Sequence, residues 1–464
     1  MGFSVAPPQL PDRTLTSATN LKAPPSANDV RLTELPTTTS IVAKYTLRTS
    51  QLSNRLHLLA MRKFLHELKD RVDSSSSQKP ISSSSSNDAH SAALADRTLR
   101  YFYSEKNHQF QAHVKSESTL GAENDFGYVV WPVTIMLHCA AECLPPHQIH
   151  MTVEALQDYW NPQRHAFCAW KMFPGNQDLY YDDNAHAVQA LLSAFQSTGQ
   201  ERYFNQAYDI LHSFIMPSAA KDGALPWHIN NDKSRAACST GPAAVSALRM
   251  AAMRPNPNLV AFSERALNWL SSTLRDPEDG LIWDQLTYKD DGSTEINKMK
   301  WTYNTGFAVH GFSLLYEATK KEEYLRTATE LAQSALNREA PLYDRSIPDP
   351  SQRYLSDGSF FLHHLVDGYL SLSRHALQEQ LRNEIIRIAN WGQEFMFDPA
   401  DGLYFRGSVP YSISEDHAQR FNAKFGLNKG LDQNDQERDE HGNLCKTMIG
   451  CASWARIFRA AESV

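Results

Sequence analysis

The stretch Tyr180–Leu192, YYDDNAHAVQALL, decides how the rest of the chain is interpreted. Two adjacent acids, Asp182 and Asp183, follow two tyrosines and precede an apolar run with Val188 and Leu191 at helical spacing. This spacing predicts a helix that begins at the two acids and is buried on most of its sides. One residue suffices to cap a helix, so two adjacent acids also raise the question of a chemical role.

Segments of this kind recur along the chain at intervals of about 60 residues. In each repeat one helix is apolar on most sides and the other is amphipathic and charged. Because a helix that is apolar all round is buried, six such pairs predict an all-α fold, the (α/α)6 barrel. An open helical solenoid is the alternative, although solenoid repeats usually run about 33–47 residues. The expected inner helices begin near Phe126, Asp183, Thr240, Tyr303, Gly358 and Cys445, and the outer ones near Leu94, Gln148, Glu201, Asn258, Lys321 and Leu377.

The sequence divides into three parts by composition. Residues 1–45 are rich in Pro, Ser and Thr and lack periodicity, which predicts a disordered N-terminal arm. Residues 46–91 hold an expected extra helix followed by the serine-rich linker SSSSQKPISSSSSNDAHS. The barrel domain is expected to span residues 92–464, so that the first two parts form a flexible N-terminal extension.

Composition and charge exclude several classes of function. The 464 residues carry a mild formal net charge of −7, and no cluster of Lys and Arg indicates nucleic-acid binding. No apolar run nears the roughly 18 residues that a membrane helix needs, and the first residues lack the apolar core of a signal peptide. The six cysteines show no C-x-x-C spacing and mostly lie in apolar helical patterns. We therefore expect a cytoplasmic, monomeric protein with reduced thiols, no membrane partner, no metal and no cofactor.

Asp182 and Asp183 have a structural and a chemical interpretation. Acids are preferred at the start of a helix, where they cap it and suit its dipole. Two further observations favour chemistry: Tyr180 and Tyr181 precede the pair, and the preceding loop NPQRHAFCAWKMFPGNQDL is rich in aromatic residues. Sugar rings present apolar faces that stack on such side chains. Glycoside hydrolysis needs a pair of acids, one to protonate the leaving oxygen and one to attack or to activate water.

A second stretch, Trp301–Gly311 (WTYNTGFAVHG), also runs directly into an expected helix. Trp301 and Tyr303 are candidates for a sugar-binding platform, and Asn304 is a candidate for an amide that binds hydroxyl groups. The alternative is that the aromatic pair belongs to the core and that Asn304 caps the helix. The further candidates for substrate binding are Tyr181, His186, Trp227 and His310.

These motifs together resemble glycoside hydrolase family 76, the endo-α-1,6-mannanases and their relatives. The resemblance rests on YYDDNAHAVQALL, on GALPWH followed by ACSTGPAAVSALRM, and on WTYNTGFAVHGFSLLYEATKKEEYLRTATELAQSAL, and it extends from about Leu94 to the C-terminus. It implies an (α/α)6 barrel and retaining hydrolysis of an α-mannosidic bond, with Asp182 as the nucleophile and Asp183 as the general acid and base. The family usually has Trp where this chain reads His186-Ala187, and Gln-Gly where it reads Thr305-Gly306, which leaves the sugar open.

Two other functions stay open on the residues alone. A sugar epimerase or isomerase on the same barrel would use paired histidines, for which His186, His310 and His364 are candidates. A relative that binds glycans without cleaving them would keep the aromatic residues but not the chemistry. Otherwise the histidines are core residues with satisfied hydrogen bonds.

Overall fold

The computed structural model describes residues 90–110, 113–114, 129–432, 438 and 444–464. The arm predicted for residues 1–45 lies outside the described residues, as does the segment 46–91 except for its last two residues, which begin the first helix. The helices of the described part are α1 (His90–Phe102), α2 (Val130–Cys143), α3 (Pro146–Gln157), α4 (Tyr181–Thr198), α5 (Glu201–Asp209), α6 (Ala237–Met253), α7 (Pro257–Trp269), α8 (Thr302–Thr319), α9 (Glu322–Leu336), α10 (Ser359–Leu372), α11 (Gln378–Trp391), α12 (Glu415–Phe425) and α13 (Met448–Glu462).

Short strands occupy the connections between the helices. They are β1 (Tyr103–Ser104), β2 (Gln109–Phe110), β3 (His113–Val114), β4 (Trp160–Asn161), β5 (Ala166–Phe167), β6 (Ser234–Ala236), β7 (Gln285–Tyr288), β8 (Thr294–Asn297), β9 (Phe397–Asp398), β10 (Leu403–Tyr404) and β11 (Lys446–Thr447). Three strands, β6, β7 and β8, form one antiparallel sheet in which Gln285 lies opposite both Ala236 and Asn297. The other strands pair in twos, β1 with β2, β3 with β11, β4 with β5 and β9 with β10.

Six inner helices form a closed ring. In order these are α2, α4, α6, α8, α10 and α13; each packs against the next, and α13 packs against α2. The outer helices α1, α3, α5, α7, α9 and α11 alternate with them along the chain and pack on the outside of the ring. This is the predicted (α/α)6 barrel, and the twelve helices predicted for the barrel all begin no more than four residues from their expected positions. Among the described residues no helix has the length and apolar character needed to cross a membrane.

One helix was not predicted, namely α12 in the connection between α11 and α13. It buries only a narrow face, with Ala418 and Phe421 among its buried residues, so its apolar pattern is weak. Its ends carry ordinary signals that the sequence does contain. The Ser414 hydroxyl caps the N-terminus by accepting the His417 N–H, and Gly426 ends the helix at a positive φ of 64°.

Three outer helices end in a wider, π-helical turn. These turns are Ile210–Ile215 after α5, Leu270–Leu274 after α7 and Gly392–Met396 after α11. Such turns are rare and contain one residue more than the α-helical turn they replace. Each stands just before a loop with the Asp-Gly-aromatic phrase of the sequence, so the turn sets the direction in which that loop leaves the helix.

The N-termini of the inner helices are held by the loops that lead to the next inner helix. The Tyr181 N–H donates to the Trp227 carbonyl (3.0 Å), and the Ala237 N–H donates to the Asp284 carbonyl (2.9 Å). The Thr302 N–H likewise donates to the Asp357 carboxylate (2.8 Å). These contacts satisfy N–H groups that the helix itself leaves free, and they place successive loops side by side at one mouth of the barrel.

Inner helices α8 and α10 approach each other so closely that their contact requires glycine. A Cβ atom at Gly306 would stand 2.6 Å from the backbone of Leu365, and a Cβ atom at Gly368 would stand 2.6 Å from the Gly306 carbonyl oxygen. Both distances are far below van der Waals contact, and the atoms in the way belong to the backbone. A side chain at either position would therefore push the two helices apart.

A buried ion cluster spans the place where the ring closes. Arg456 of α13 is 4% exposed and pairs with Glu142 of α2 (2.9 Å) and with Asp367 of α10 (3.1 Å). The same guanidinium donates to the Nδ1 atom of His363, and it lies 3.4 Å from His138. Because the two carboxylates surround it, the pKa of Arg456 is raised despite burial, and the charge is permanent.

We expect Gly306→Ala to lower the free energy of unfolding by about 1–3 kcal/mol, because the added methyl group overpacks a backbone contact. This is the net loss that remains after the gain of about 1 kcal/mol that alanine brings to a helix. Urea denaturation of both proteins measures the difference. Gly430→Ala is the control, since nothing lies within 4 Å of a Cβ atom there; a loss in the control as large as at Gly306 would contradict the interpretation.

We expect Arg456→Met to cost about 3–5 kcal/mol, because it leaves two partly buried carboxylates without a cation. Arg100→Met is the matched control, since Arg100 pairs with Asp96 on the surface with 74% of its side chain exposed; its cost should stay below about 1 kcal/mol. Thermal unfolding followed by circular dichroism ranks the two variants. Equal melting temperatures would show that the cluster does not hold the ring closed.

Candidate active site

Asp182 and Asp183 lie in the first turn of α4, at the mouth where the loops meet. Tyr180 occupies the N-cap position and makes no side-chain cap, so neither acid is the N-cap of this helix. Both residues are partly exposed, so they can be reached from the mouth. Among the described residues no Lys or Arg forms an ion pair with either of them, so their charges are balanced only by hydrogen bonds and by their own protonation.

Hydrogen-bond donors surround the Asp182 carboxyl group. The Trp227 indole N–H donates to its Oδ2 atom (2.9 Å), and the Asp183 backbone N–H donates to its Oδ1 atom (3.0 Å). The Cys238 thiol is a further neighbour, and the charge of Asp182 helps to raise its pKa. Burial raises the pKa of Asp182 to about 6, and these donors oppose the rise because they favour the charged form.

The Asp183 carboxyl group has a different environment. Burial raises its pKa well above the usual value, and the negative charges of Asp182 and Asp178 raise it further. In the part of the chain that the structure describes, no donor forms a hydrogen bond with this carboxyl group. Two neighbouring acids therefore differ in chemistry: Asp183 holds its proton to a higher pH than Asp182.

Aromatic side chains line the barrel next to the acids. The Tyr303 ring stacks on Phe361 with a centroid distance of 4.3 Å, and the Trp301 ring contacts the same Phe361 at 5.4 Å. On the other side Trp131 lies 6.0 Å from Phe361 and stacks on His186 at 6.2 Å. Trp301, Tyr303 and His186, which the sequence singled out, thus belong to one aromatic wall.

A polar group adjoins this wall. Asn304 is 1% exposed, and its Nδ2 atom donates to Asp284 Oδ1 (3.3 Å), while Asn297 donates to Asp284 Oδ2 (2.9 Å). The Asn304 Oδ1 atom is buried and has no hydrogen-bond partner among the described residues. Asn304 is thus in the first turn of α8 but not its cap, and burial raises the pKa of Asp284.

Two predicted residues lie apart from the acids. The Tyr181 ring is 6% exposed and stacks on Phe214 at 4.7 Å, which places it in the core between inner and outer helices. His310 lies two turns deeper in α8, where burial lowers its pKa to about 4. The charged groups that it faces there are Asp367, Arg249, Arg374 and Arg456, not the acids of the mouth.

Sequence reasoning missed several residues of the site. Cys238 was grouped with the core thiols, and Asp284 was passed over within the phrase DGLIWDQ. Asp357, which binds the N-terminus of α8, lies two residues before the start of α10. Position was the available signal for two of these residues, since Cys238 lies in the first turn of an inner helix, as Asp182 does, and Asp357 lies shortly before one. Asp284, which directly precedes β7, carries no such signal.

A group of buried histidines lies deeper in the barrel. Ligand atoms of His363, His364 and Asp367 lie within 4.8 Å of one another, a separation that could suit a metal ion. However, Arg456 donates to His363 Nδ1 and pairs with Asp367. Since His363 Nδ1 accepts a hydrogen bond from the arginine, the neutral ring carries its own hydrogen on Nε2, and neither nitrogen of His363 is free to bind a metal. The residues present therefore fit an ion-pair cluster better than a metal site.

Comparison with known proteins shows which family the chain resembles. Residues 86–389, more than half of the chain, match the sequence profile of Glycosyl hydrolase family 76. The Meiotically up-regulated gene 191 protein of Schizosaccharomyces pombe is 31% identical over 407 residues, which cover 80% of this chain and 91% of that protein.

Solved structures share the fold. The GH76A α-1,6-mannanase of Salegentibacter sp. superposes with a TM-score of 0.61 at 18% identity, over 82% of this chain and 99% of that chain. An inactive variant of that enzyme, with two consecutive aspartates replaced by asparagine, is known in complex with α-1,6-mannotriose; it superposes with a TM-score of 0.60 at 19% identity, over 81% and 99% of the two chains. A D-mannose isomerase superposes with a TM-score of 0.58 at 12% identity, over 82% and 100%.

The D-mannose isomerase shows that the helical barrel by itself does not determine the reaction. The profile match depends on sequence as well as on fold, and it covers the two acids, the Trp227 loop and the stretch Trp301–Gly311. The chain therefore belongs to glycoside hydrolase family 76.

Proposed function

We propose that this protein is a retaining glycoside hydrolase that cleaves an α-mannosidic bond, with Asp182 as the nucleophile and Asp183 as the general acid and base. The observation that carries the proposal is the difference between the two adjacent carboxyl groups. Retaining hydrolysis needs one acid that is ionised and one that is protonated at the same pH. Donors from Trp227 and the backbone favour the anion at Asp182, whereas burial and neighbouring charges favour the protonated form of Asp183.

Similarity to the Salegentibacter enzyme supports the assignment. That α-1,6-mannanase is inactive when two consecutive aspartates are replaced, and the same variant binds α-1,6-mannotriose. In this chain Asp182 and Asp183 are two consecutive aspartates at the mouth of the same barrel. We therefore take an α-1,6-linked mannose oligosaccharide as the first substrate to test.

The reaction follows from the proposed roles. Asp183 gives its proton to the glycosidic oxygen while a carboxylate oxygen of Asp182 attacks the anomeric carbon, so the leaving group departs as an alcohol and a glycosyl ester forms. Asp183, now an anion, then removes a proton from water, whose oxygen attacks the same carbon and releases Asp182. The configuration of the anomeric carbon is inverted twice and thus retained.

The surroundings of the acids supply substrate binding in this proposal. The wall of Trp131, Trp301, Tyr303 and Phe361 offers apolar faces on which sugar rings stack. The buried Asn304 Oδ1 atom, which has no donor among the described residues, would accept a hydrogen bond from a sugar hydroxyl. The preference for one sugar over another would then arise from hydroxyl groups that satisfy buried acceptors.

A second candidate function is sugar isomerisation or epimerisation by paired histidines. The rings of His186 and His364 lie 4.8 Å apart, and both ring nitrogens of His364 are buried without a hydrogen-bond partner in the described part of the chain. Such a reaction moves a proton at a sugar carbon. Incubation with D-mannose in deuterated water distinguishes the two functions: we expect no deuterium at carbon 2 by NMR, and its incorporation would favour the isomerase.

We predict that Asp182→Asn and Asp183→Asn each lower kcat/KM on α-1,6-mannotetraose by about 10³-fold or more, because each removes one half of the acid pair. With an aryl α-mannoside that has a good leaving group, Asp183→Asn should recover part of its glycosylation rate and Asp182→Asn should not, since that step then needs little protonation. Stopped-flow release of the phenol and chromatography of the oligosaccharides measure the two rates. The anomer formed first, read by NMR, tests retention.

Asp290→Asn is the control for these variants, since Asp290 is 90% exposed on the β7–β8 hairpin and lies outside the proposed machinery. It should keep kcat/KM within about twofold, because surface substitutions are usually close to neutral. If both site variants remained fully active, the acids would have only a structural role. Inactivity of the unaltered protein on every glycoside tested, with sugar binding retained, would instead indicate a glycan-binding relative.

The same acids should destabilise the fold at neutral pH. Their pKa is raised by folding, so they stabilise the protein at low pH, and this stabilisation is lost as the pH rises from the unfolded value of 3.8 through the folded value, about 6 for Asp182. We therefore expect Asp182→Asn to be more stable than the unaltered protein at pH 7 by about 1–3 kcal/mol. The advantage should vanish near pH 3.5. Urea denaturation across this range tests the prediction, and equal stability at all pH values would contradict it.

A further inference from the structure

Two aromatic side chains that the proposed reaction does not use lie exposed on the loop before α4. Phe173 is 57% exposed, the most of any large apolar side chain among the described residues, and Trp170, three positions earlier, is 39% exposed. Neither ring stacks on another ring in the part of the chain that the structure describes. Single exposed apolar residues are common, but two large rings within four residues of one loop are a candidate binding surface.

A buried asparagine holds this loop, residues 168–180, in shape. Asn176 is 3% exposed, and its Nδ2 atom donates to the carbonyl of Trp170 (3.3 Å) and to that of the residue after it (3.4 Å). Its Oδ1 atom accepts the Asp178 N–H (3.1 Å), and the Ala169 N–H donates to the Asp178 carbonyl (2.8 Å), which closes the base of the loop. Because the backbone is already ordered, a ligand that binds the rings pays little conformational entropy for the loop.

The same loop adjoins the aromatic wall of the candidate site. The Val130 N–H, at the start of α2, donates to the Ala169 carbonyl (2.8 Å). Trp131 of the wall follows Val130, and Trp170 follows Ala169. Because consecutive Cα atoms are about 3.8 Å apart, the Cα atoms of the two tryptophans lie no more than about 15 Å apart. The loop ends at Tyr180, directly before the acids, so the exposed rings stand at the border of the mouth.

The chemistry of the loop suits a neutral sugar chain. Pyranose rings have apolar faces that stack on aromatic side chains, as proposed for the wall. The only charged residue between the two rings in the sequence, Lys171, is paired with Asp158 (3.2 Å), so the rings are not flanked there by an unpaired charge. An oligosaccharide with one end at the acids can extend along the wall to this border.

We propose that Trp170 and Phe173 form a second sugar-binding platform, which binds mannose units beyond those at the acids. The inference rests on the proposed function and adds to it a preference for long oligosaccharides over short glycosides. The two rings do not touch the reacting carbon in this role. They bind the substrate and the transition state equally, so they lower KM and leave kcat unchanged.

Kinetics on substrates of different length test the proposal. With α-1,6-mannohexaose, the double variant Trp170→Leu/Phe173→Leu should lose about tenfold or more in kcat/KM, through a higher KM, with kcat within about twofold. With an aryl α-mannoside, which is too short to reach the border, kcat/KM should stay within about twofold. A double variant that cleaves the hexaose as efficiently as the unaltered protein would overturn the proposal.

Two control variants separate stacking from a change in the shape of the loop. Trp170→Phe/Phe173→Tyr keeps two aromatic faces and should stay within about threefold of the unaltered protein on the hexaose. Tyr208→Leu removes a ring of similar exposure, 44%, from the outer helix α5 and should change neither substrate. The melting temperatures should agree, since these rings lie outside the core. An equal loss in the aromatic and the leucine variants would overturn the proposal.

A binding measurement separates the platform from the proposed hydrolysis. Calorimetric titration of Asp183→Asn with α-1,6-mannohexaose should give a Kd about tenfold or more weaker when the two leucines are added. An equal Kd, or no binding of the hexaose in either protein, would overturn the platform even in a protein that cleaves aryl mannosides. Weaker binding by the leucine variant, in a protein that cleaves no glycoside, would support the platform and refute only the hydrolase assignment.

The alternative occupant of the two rings is a second copy of this chain. Analytical ultracentrifugation of the unaltered protein and of the leucine double variant distinguishes it from a sugar. We expect both proteins to sediment identically. A dimer that the two leucines dissociate would assign the rings to a contact between copies and would overturn the proposal.

Discussion

The guanidinium group of Arg456 joins the last helix of the inner ring to the first. A ring of six helices closes at one seam, where the last inner helix must pack against the first. These two helices are far apart in the sequence, so a short connection cannot hold them together. Arg456 supplies that link by pairing with Glu142 across the seam and with Asp367 on the helix before it. A buried ion pair contributes little net stability, but wrong partners would leave its charges unpaired, so it selects the correct closure. The mouth, its loops and the candidate site all depend on the ring being closed in this register.

Within that ring the candidate site uses the ends of the helices. The N-terminus of an inner helix attracts negative charge, which suits an acid there. Burial opposes the charge, and the balance differs between two neighbours in sequence, because Asp182 receives the Trp227 indole N–H and a backbone N–H, whereas no described donor reaches the Asp183 carboxyl group. The scaffold therefore gives two identical side chains different pKa values through their positions alone. A pair of acids with different roles requires such a difference.

The parts predicted from the sequence and the parts missed have different physical origins. The alternation of inner and outer helices could be predicted because burial on all sides leaves a clear apolar pattern in the inner helices. The two acids and the Trp301–Gly311 stretch could be identified as local motifs. The surroundings that could not be predicted depend on contacts between segments distant in the sequence. Tyr181 adjoins the acids in sequence, yet its ring points away from the mouth onto Phe214. Cys238 resembled a core thiol because nothing local shows that Asp182, 56 residues earlier, lies beside it. The glycines at 306 and 368 likewise gain meaning only when two helices are seen to touch.

The π-helical turns at the ends of three outer helices have a consequence for how this barrel tolerates insertions and deletions. Each wide turn accommodates one extra residue. If Ile210–Ile215 formed an ordinary α-helical turn with the same number of residues, the extra residue would rotate the chain that leaves the helix by about 100°. The loop that follows carries Trp227, whose carbonyl holds the start of α4 and whose indole holds Asp182. The number of residues in an outer helix is thereby tied to the orientation of a carboxylate on an inner helix.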